Sequence, residues 1–253
     1  YPPPMLNMTR RFGILALALA LAACGSTASP YQGMDAEALY ATATQEYSEG
    51  GYLNAAEALD RLLLSFGDWD RVPEARLMLA HAHFGAQDFL TARAEYVRYL
   101  DRYAGEGDAP VAALGVCRSL ASLSPVMPRD QTFTNDAILV CRNVVVDYAG
   151  TPQSAEAAQL SNSMRVKLAE KEYMTGDFYF RRKLYDSAIK YFEFVANLYT
   201  ETEFAPMALA GVYHSNVAIG YQDLADEAKE LLLSRYPDSA AATLLQSSGG
   251  SGS

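Results

Sequence analysis

The sequence has no run of alternating apolar and polar residues long enough for a sheet, and its glycines and prolines fall between helical patterns. Both absences exclude a strand-rich fold. The apolar run from Phe12 to Ala23 stops at twelve residues, well short of the roughly 20 that a membrane-spanning helix needs. Basic residues are scarce: 20 Lys and Arg stand against 30 Asp and Glu, and without Arg10 and Arg11 of the leader 18 face 30, a net charge of −12. That balance argues against a nucleic-acid partner, whose phosphates demand cations. Catalytic patterns are missing as well: no G-x-S-x-G, H-E-x-x-H, P-loop or paired-cysteine zinc spacing occurs. His81 and His83 are two apart, which on a helix turns them about 200° from each other and prevents them from sharing a metal. His214 stands alone, and the carboxylates are spread as on solvated helix faces. The chain reads as non-enzymatic, with no cofactor and no metal.

What is present begins with an export signal. Thr9-Arg10-Arg11 is a basic n-region and Phe12 to Ala23 has the length of a signal-peptide core, so residues 1–23 read as a leader with some upstream residues. Leu21-Ala22-Ala23-Cys24 resembles the bacterial lipobox, whose cysteine becomes the lipidated first residue of the mature chain. The bland alternative is a thiol beside a signal-peptidase site; lipidation is the preferred reading, with several acyl chains making the attachment stable. Gly25, not aspartate, follows the cysteine, which favours outer-membrane placement. Residues 24–34 read as a flexible tether rich in Ser, Gly, Pro and Thr. At the other end, 246–253 (QSSGGSGS) resembles an artificially appended linker.

Between these ends a helical unit repeats. Leu168 to Tyr199 reads as two helices meeting near Lys183-Leu184, and Ala188, Phe192, Val195 and Tyr199 fall on one face of the second. The same stripe recurs as Ala55, Leu59, Leu62, Phe66; as Ala92, Tyr96, Tyr99, Tyr103; as Ala137, Cys141, Val144, Tyr148; and as Ala225, Lys229, Leu232, Tyr236. A small residue lets two helix backbones approach, and the terminal ring fills the gap before the next hairpin. Pro73, Pro110 and Pro206 stand at starts of first helices, and Pro237 follows the last stripe. The alanines are 37, 45, 51 and 37 residues apart, so the third and fourth repeats carry extensions. A hairpin cannot bury such a stripe alone, and residues 35–245 therefore predict an all-α, right-handed solenoid of five helical hairpins.

This pattern resembles the tetratricopeptide repeat (TPR), whose consensus unit is about 34 residues. The five-repeat layout, the insertion Ser124-Pro-Val-Met-Pro-Arg-Asp-Gln-Thr and the segment LAEKEYMTGDFYFRRKLYDSAI look like the BamD family of outer-membrane protein assembly lipoproteins. That resemblance implies a lipid-anchored periplasmic scaffold at the outer membrane. Its N-terminal repeats would face unfolded outer-membrane clients, its C-terminal repeats would dock a POTRA domain of the barrel-forming BamA subunit, and other Bam lipoproteins would be further partners. Positions resembling the family's ligand-facing set are Tyr40, Thr44, Tyr47, Leu77, His81, Phe84, Leu114 and Arg118; ordinary surface is the competing reading. Arg181, Arg182 and Lys183 form a basic run that either stabilises a helix C-terminus, the simpler view, or docks an acidic partner. Cys117 and Cys141 occupy positions that resemble facing buried positions in the family. Free buried thiols are the preferred reading, with a disulfide permitted by export. A pilotin-like lipoprotein assisting a secretin, or an accessory of a peptidoglycan enzyme, are the alternative functions.

Overall fold

The computed structural model describes residues 31–127 and 129–249. The leader, Cys24 and the last residues of the tail lie outside them. Among the described residues eleven helices and no strand occur. They pair as five hairpins: α1 (Ala36–Ser48) with α2 (Tyr52–Ser65), α3 (Val72–Gly85) with α4 (Phe89–Tyr103), α5 (Ala109–Leu123) with α6 (Thr132–Asp147), α7 (Pro152–Arg181) with α8 (Tyr185–Leu198), and α9 (Phe204–Ile219) with α10 (Gln222–Arg235). A last helix, α11 (Ala240–Gly249), packs on α9 and α10. Every substantial contact joins helices one or two apart in this order, and the first helices α3, α5, α7 and α9 stack in succession. The chain is thus a TPR-like solenoid in which each hairpin is held by its neighbours.

Four hairpins turn in the same way. The residue two before each second helix has positive φ: Gly50 (83°), Gln87 (62°), Lys183 (61°) and Gly220 (84°). The next backbone N–H then reaches back five residues, Gly51 to Glu46 O, Asp88 to His83 O, Leu184 to Tyr179 O and Tyr221 to Asn216 O, at 2.7–3.0 Å. This closure satisfies carbonyls that the helix end leaves open. Two of the four positions are glycine, which adopts this conformation without a steric penalty.

The stripes are the core. Ala55, Ala92, Ala137, Ala188 and Ala225 have no exposed surface, and Leu59, Tyr96, Cys141 and Phe192 are buried one turn on. Lys229, the polar member of the fifth stripe, is half-buried where the solenoid ends. The rings at these positions rest directly on helix backbone. A Cβ on Gly115 would lie 2.5 Å from the Tyr96 ring. Phe192 is held from both sides, with Gly176 of α7 and Gly211 of α9 each leaving room that a Cβ would close to 2.8 and 2.6 Å; these glycines and Gly115 lie inside helices, not between them as the sequence reading has it, because the neighbouring ring needs the space. Tyr173 and Phe180 complete its surroundings, their ring centroids 5.5 and 6.4 Å away.

The two extended repeats differ from the simple unit for separate reasons. Repeat three has a long connection between α5 and α6, braced where Lys167 Nζ donates to Ser124 Oγ (2.8 Å) and Ser124 Oγ meets Thr134 Oγ1 (2.6 Å). Repeat four has a first helix of 30 residues, starting well before Leu168. Its N-terminal part packs Ala157 and Leu160 with Cys141 and Val144, and its C-terminal part packs Leu168, Ala169 and Tyr173 with Phe192. One helix therefore serves two repeats. Thr151 caps it, its Oγ1 accepting from Ser154 N at 3.1 Å, and Pro152 opens it.

Three details depart from the sequence reading. Cys117 and Cys141 are joined in a disulfide, Cα to Cα 5.0 Å, where free thiols were preferred; the stacking of α5 against α6 brings their side chains face to face. By chain-entropy arguments a bridge across 24 residues contributes about 3 kcal/mol. The tether ends earlier than 34, because Tyr31 is buried and donates to Asn54 O at 3.2 Å. Helix α11 runs on to Gly249, into the segment taken as a linker.

Filling the space beneath Phe192 tests this packing. Gly211→Ala gains about 1 kcal/mol of helix propensity, but the ring, blocked on its far side by α7, makes the overpacking cost of about 1–3 kcal/mol the larger effect. The urea midpoint is expected to fall, and Phe192→Leu in the same chain to recover part of the loss. A raised midpoint for Gly211→Ala would show that the ring is not confined.

Candidate partner-binding surfaces

The stacked first helices of repeats one to three carry the groove positions expected from sequence. On α1, Tyr40 is half-buried, its ring 5.3 Å from Trp69 and 4.3 Å beneath the Arg71 guanidinium. Arg71 also bonds Glu37 at 3.2 Å. Thr44 is exposed and returns its hydroxyl to Tyr40 O. Tyr47 lies edge-on to Tyr52 at 5.3 Å, and burial pushes its hydroxyl pKa up. Trp69, Arg71 and Glu37 were not singled out from sequence. Trp69 and Arg71 belong to the turn between α2 and α3, where no periodic pattern marks them.

Repeats two and three bring His81, Phe84 and Arg118 to partly open positions but not Leu77 and Leu114. Leu77 is 7% exposed and packs with Ala92, Tyr96 and Val116, while Leu114 is 4% exposed and packs with Cys141 and Ala157. Both leave the ligand-facing set, because a first helix inside the stack is covered by its own second helix and by the next hairpin. On α5, Arg118 is the one exposed residue between Ala109 and Leu120. Its Nε and Nη2 grip both carboxylate oxygens of Glu156 on α7, at 2.6 and 2.5 Å. A fork of this kind is strong and directional, and it holds the Glu156 carboxyl below its usual range. A ligand carboxylate reaching Arg118 has to compete with Glu156. Phe84 meets Phe89 edge-on at 5.2 Å. His81 Nδ1 lies 2.7 Å from Tyr96 Oη, and burial, reinforced by the Arg118 charge, pushes the imidazole pKa down.

The second surface is the C-terminal end of α7. Arg181 bonds Asp177 one turn back, the Arg182 guanidinium lies 4.1 Å over the Phe178 ring, and Lys183 makes no ion pair among the described residues. All three are exposed, as are Met174, Phe178 and Leu184 beside them. Arg181 sits in the last turn and complements the helix dipole. The geometry accommodates both readings of the basic run: one cation is spent on the helix, and an apolar patch with two further cations faces solvent.

Among the described residues no group of three or more His, Cys, Asp or Glu is placed to hold a metal, and no helix is long and apolar enough to cross a membrane. His83 points to Asp88, 3.9 Å away, and not to His81. Such a stack of hairpins, with aromatic and charged side chains on its faces, defines a helical-repeat protein of the TPR type. The profile of the YfiO family, described as an outer membrane lipoprotein, matches residues 32–231. The chain belongs to that family.

Three relatives are each named outer membrane protein assembly factor BamD. That of Caulobacter vibrioides is 23% identical over 229 residues, covering 87% of this chain and 74% of the relative. For Rickettsia prowazekii the figures are 24% over 233 residues, 89% and 90%; for Vibrio cholerae they are 23% over 240 residues, 87% and 95%. Among solved structures, a Rap protein complexed with competence and sporulation factor overlaps with a TM-score of 0.38 at 14% identity, covering 85% of this chain and 59% of its own. A Podosopora anserina kinesin light chain with TPR-like repeats overlaps at 0.36 and 13%, covering 79% and 93%. Neither overlap is close enough to carry an argument.

The lowered pKa of His81 fixes the sign of a pH effect. Above the free-histidine range neither state binds the proton; as pH falls through about 6.5 the unfolded chain takes it up and the folded chain resists, so stability declines. His214, also shifted down by burial, contributes in the same direction. Melting temperature is expected to drop between pH 8 and pH 5.5, and His81→Gln to make that drop smaller. An identical drop in the variant would remove His81 as a source.

Proposed function

We propose that this chain is a lipid-anchored scaffold on the periplasmic face of the outer membrane that assists the assembly of β-barrel proteins. The observation that carries this reading is the family match, which runs from before α1 into α10 and so takes in four hairpins whole and most of the fifth. Three relatives bearing the assembly-factor name at similar identity support it. In this reading repeats one to three hold unfolded client chains through the Tyr40, Tyr47, His81, Phe84 and Arg118 face. The exposed rings suit extended segments rich in aromatics. Repeats four and five dock a POTRA domain of BamA, with Arg182 and Lys183 meeting acidic side chains and Phe178 and Leu184 supplying the apolar contact. Cys24 carries the acyl chains.

Affinity purification from detergent-solubilised envelope tests the assignment. BamA is expected to co-purify; recovery of a secretin, or of a peptidoglycan enzyme without BamA, would replace the reading with a pilotin-like or an accessory role. The variant with Glu at 181, 182 and 183 is expected to lose most of the BamA, and full retention would clear those three side chains of a docking role. Anchoring has its own test. Cys24→Ala is expected to leave the outer-membrane fraction after a salt wash, whereas a variant still tightly bound there would rule out the lipid anchor.

A further inference from the structure

A third surface lies on α8, α9 and α10, beginning at Asp186 just after the basic end of α7. There α8 and α10 flank a cleft of about 480 Å³ floored by α9. Its walls are apolar, built from Ile189, Val212 and Leu231 among others, and its mouth carries Tyr221 and Leu224, 57% and 51% exposed. At the floor stands Asn216, 3% exposed. Its Nδ2 donates to Val212 O at 3.1 Å, but Oδ1 has no hydrogen-bond partner. The charged residues around the opening are Asp186, Glu193 and Glu227 against one ammonium, Lys190. None of the three carboxylates is in an ion pair among the described residues.

We propose that this cleft docks a cationic segment of a partner protein, anchored by an arginine or lysine. The alkyl stem of that side chain lies along the apolar walls, as long cationic side chains do elsewhere, and the rim carboxylates meet its charge. Charge complementarity selects this occupant. A second copy of the chain is disfavoured by its net negative charge, and its own basic end at Arg182 and Lys183 is the rival occupant that the dimerisation measurement addresses. The cleft also differs from the basic end of α7, which suits an acidic partner, so the last two repeats present opposite signs at separate places. The proposal stands independently of the function proposed above, and its failure leaves that reading intact.

The probe is a fluorescein-labelled peptide of repeating Leu-Arg-Ser, titrated into the full chain by anisotropy, with repeating Leu-Glu-Ser as its counterpart. The cationic peptide is expected to saturate and the acidic one not to bind. Glu193 and Glu227 are exposed, so the double variant Glu193→Lys/Glu227→Lys should keep its melting temperature and bind at least tenfold more weakly. Reversal of two exposed carboxylates elsewhere, Glu57→Lys/Asp101→Lys, should change affinity less than twofold, which separates the cleft from general attraction to an acidic protein. The side-chain amide signals of Asn216 in an ¹⁵N spectrum should move during the titration. Absence of saturable binding, equal weakening by both double variants, or stationary Asn216 signals would each overturn the proposal. Concentration-dependent dimerisation abolished by the rim variant would assign the cleft to a second copy and overturn it as well.

Discussion

The structure depends on the close approach of an aromatic ring to a neighbouring helix backbone. Phe192 projects from α8 into a slot whose two sides are Gly176 and Gly211, residues of the first helices before and after it. The ring is therefore shared by two hairpins, and neither can form its part of the core without the other. Tyr96 against Gly115 repeats the arrangement between repeats two and three. Dense contact of this kind stabilises through many small dispersion terms and loses them quickly when a gap opens. Cooperativity along the solenoid follows from these shared rings more than from the intrinsic helicity of any one segment.

The junction between repeats three and four receives further reinforcement. Helix α7 spans both, the Cys117–Cys141 disulfide fixes α5 to α6, and the Arg118–Glu156 fork ties α5 to α7. Arg165 does the same one repeat further on, donating to Glu201 and to Leu198 O while its guanidinium lies 5.1 Å over the Tyr199 ring. These devices hold the N-terminal and C-terminal faces in fixed relation. Ordering that is already present in the free protein is not a cost of binding.

Charge is distributed unevenly over this frame. Arg71, Arg118, Arg165 and Arg181 are each engaged by a carboxylate of the chain itself, Arg118 and Arg165 across helices and Arg181 within its own. Among the charges of the described residues left without an ion pair are Arg182 and Lys183, beside exposed apolar residues at the end of α7, and the carboxylates around the cleft of α8–α10. Residues that read alike in a sequence, such as Arg118 and Arg182, thus have different work once their neighbours are known.

Helix placement, the repeat and its core stripes were legible in the sequence, because a period of 3.6 with a small residue and a ring at fixed offsets can be read from one strand of text. Ala188, Phe192 and Val195 are buried as their spacing requires, and the turn at Lys183-Leu184 lies where the stripe places it. The family was legible for the same reason, since its signature is a pattern of packing residues. Tertiary structure alone decided which first-helix positions stay open. Leu77 and Leu114 share the helical phase of exposed neighbours, yet the next hairpin covers them. It also paired Arg118 with Glu156, 38 residues away, joined Cys117 to Cys141, and left Asn216 Oδ1 without a donor at the bottom of a cleft. Local periodicity records which face of a helix is apolar; what lies across that face is set by the superposition of three helices distant in sequence, and no single segment encodes it.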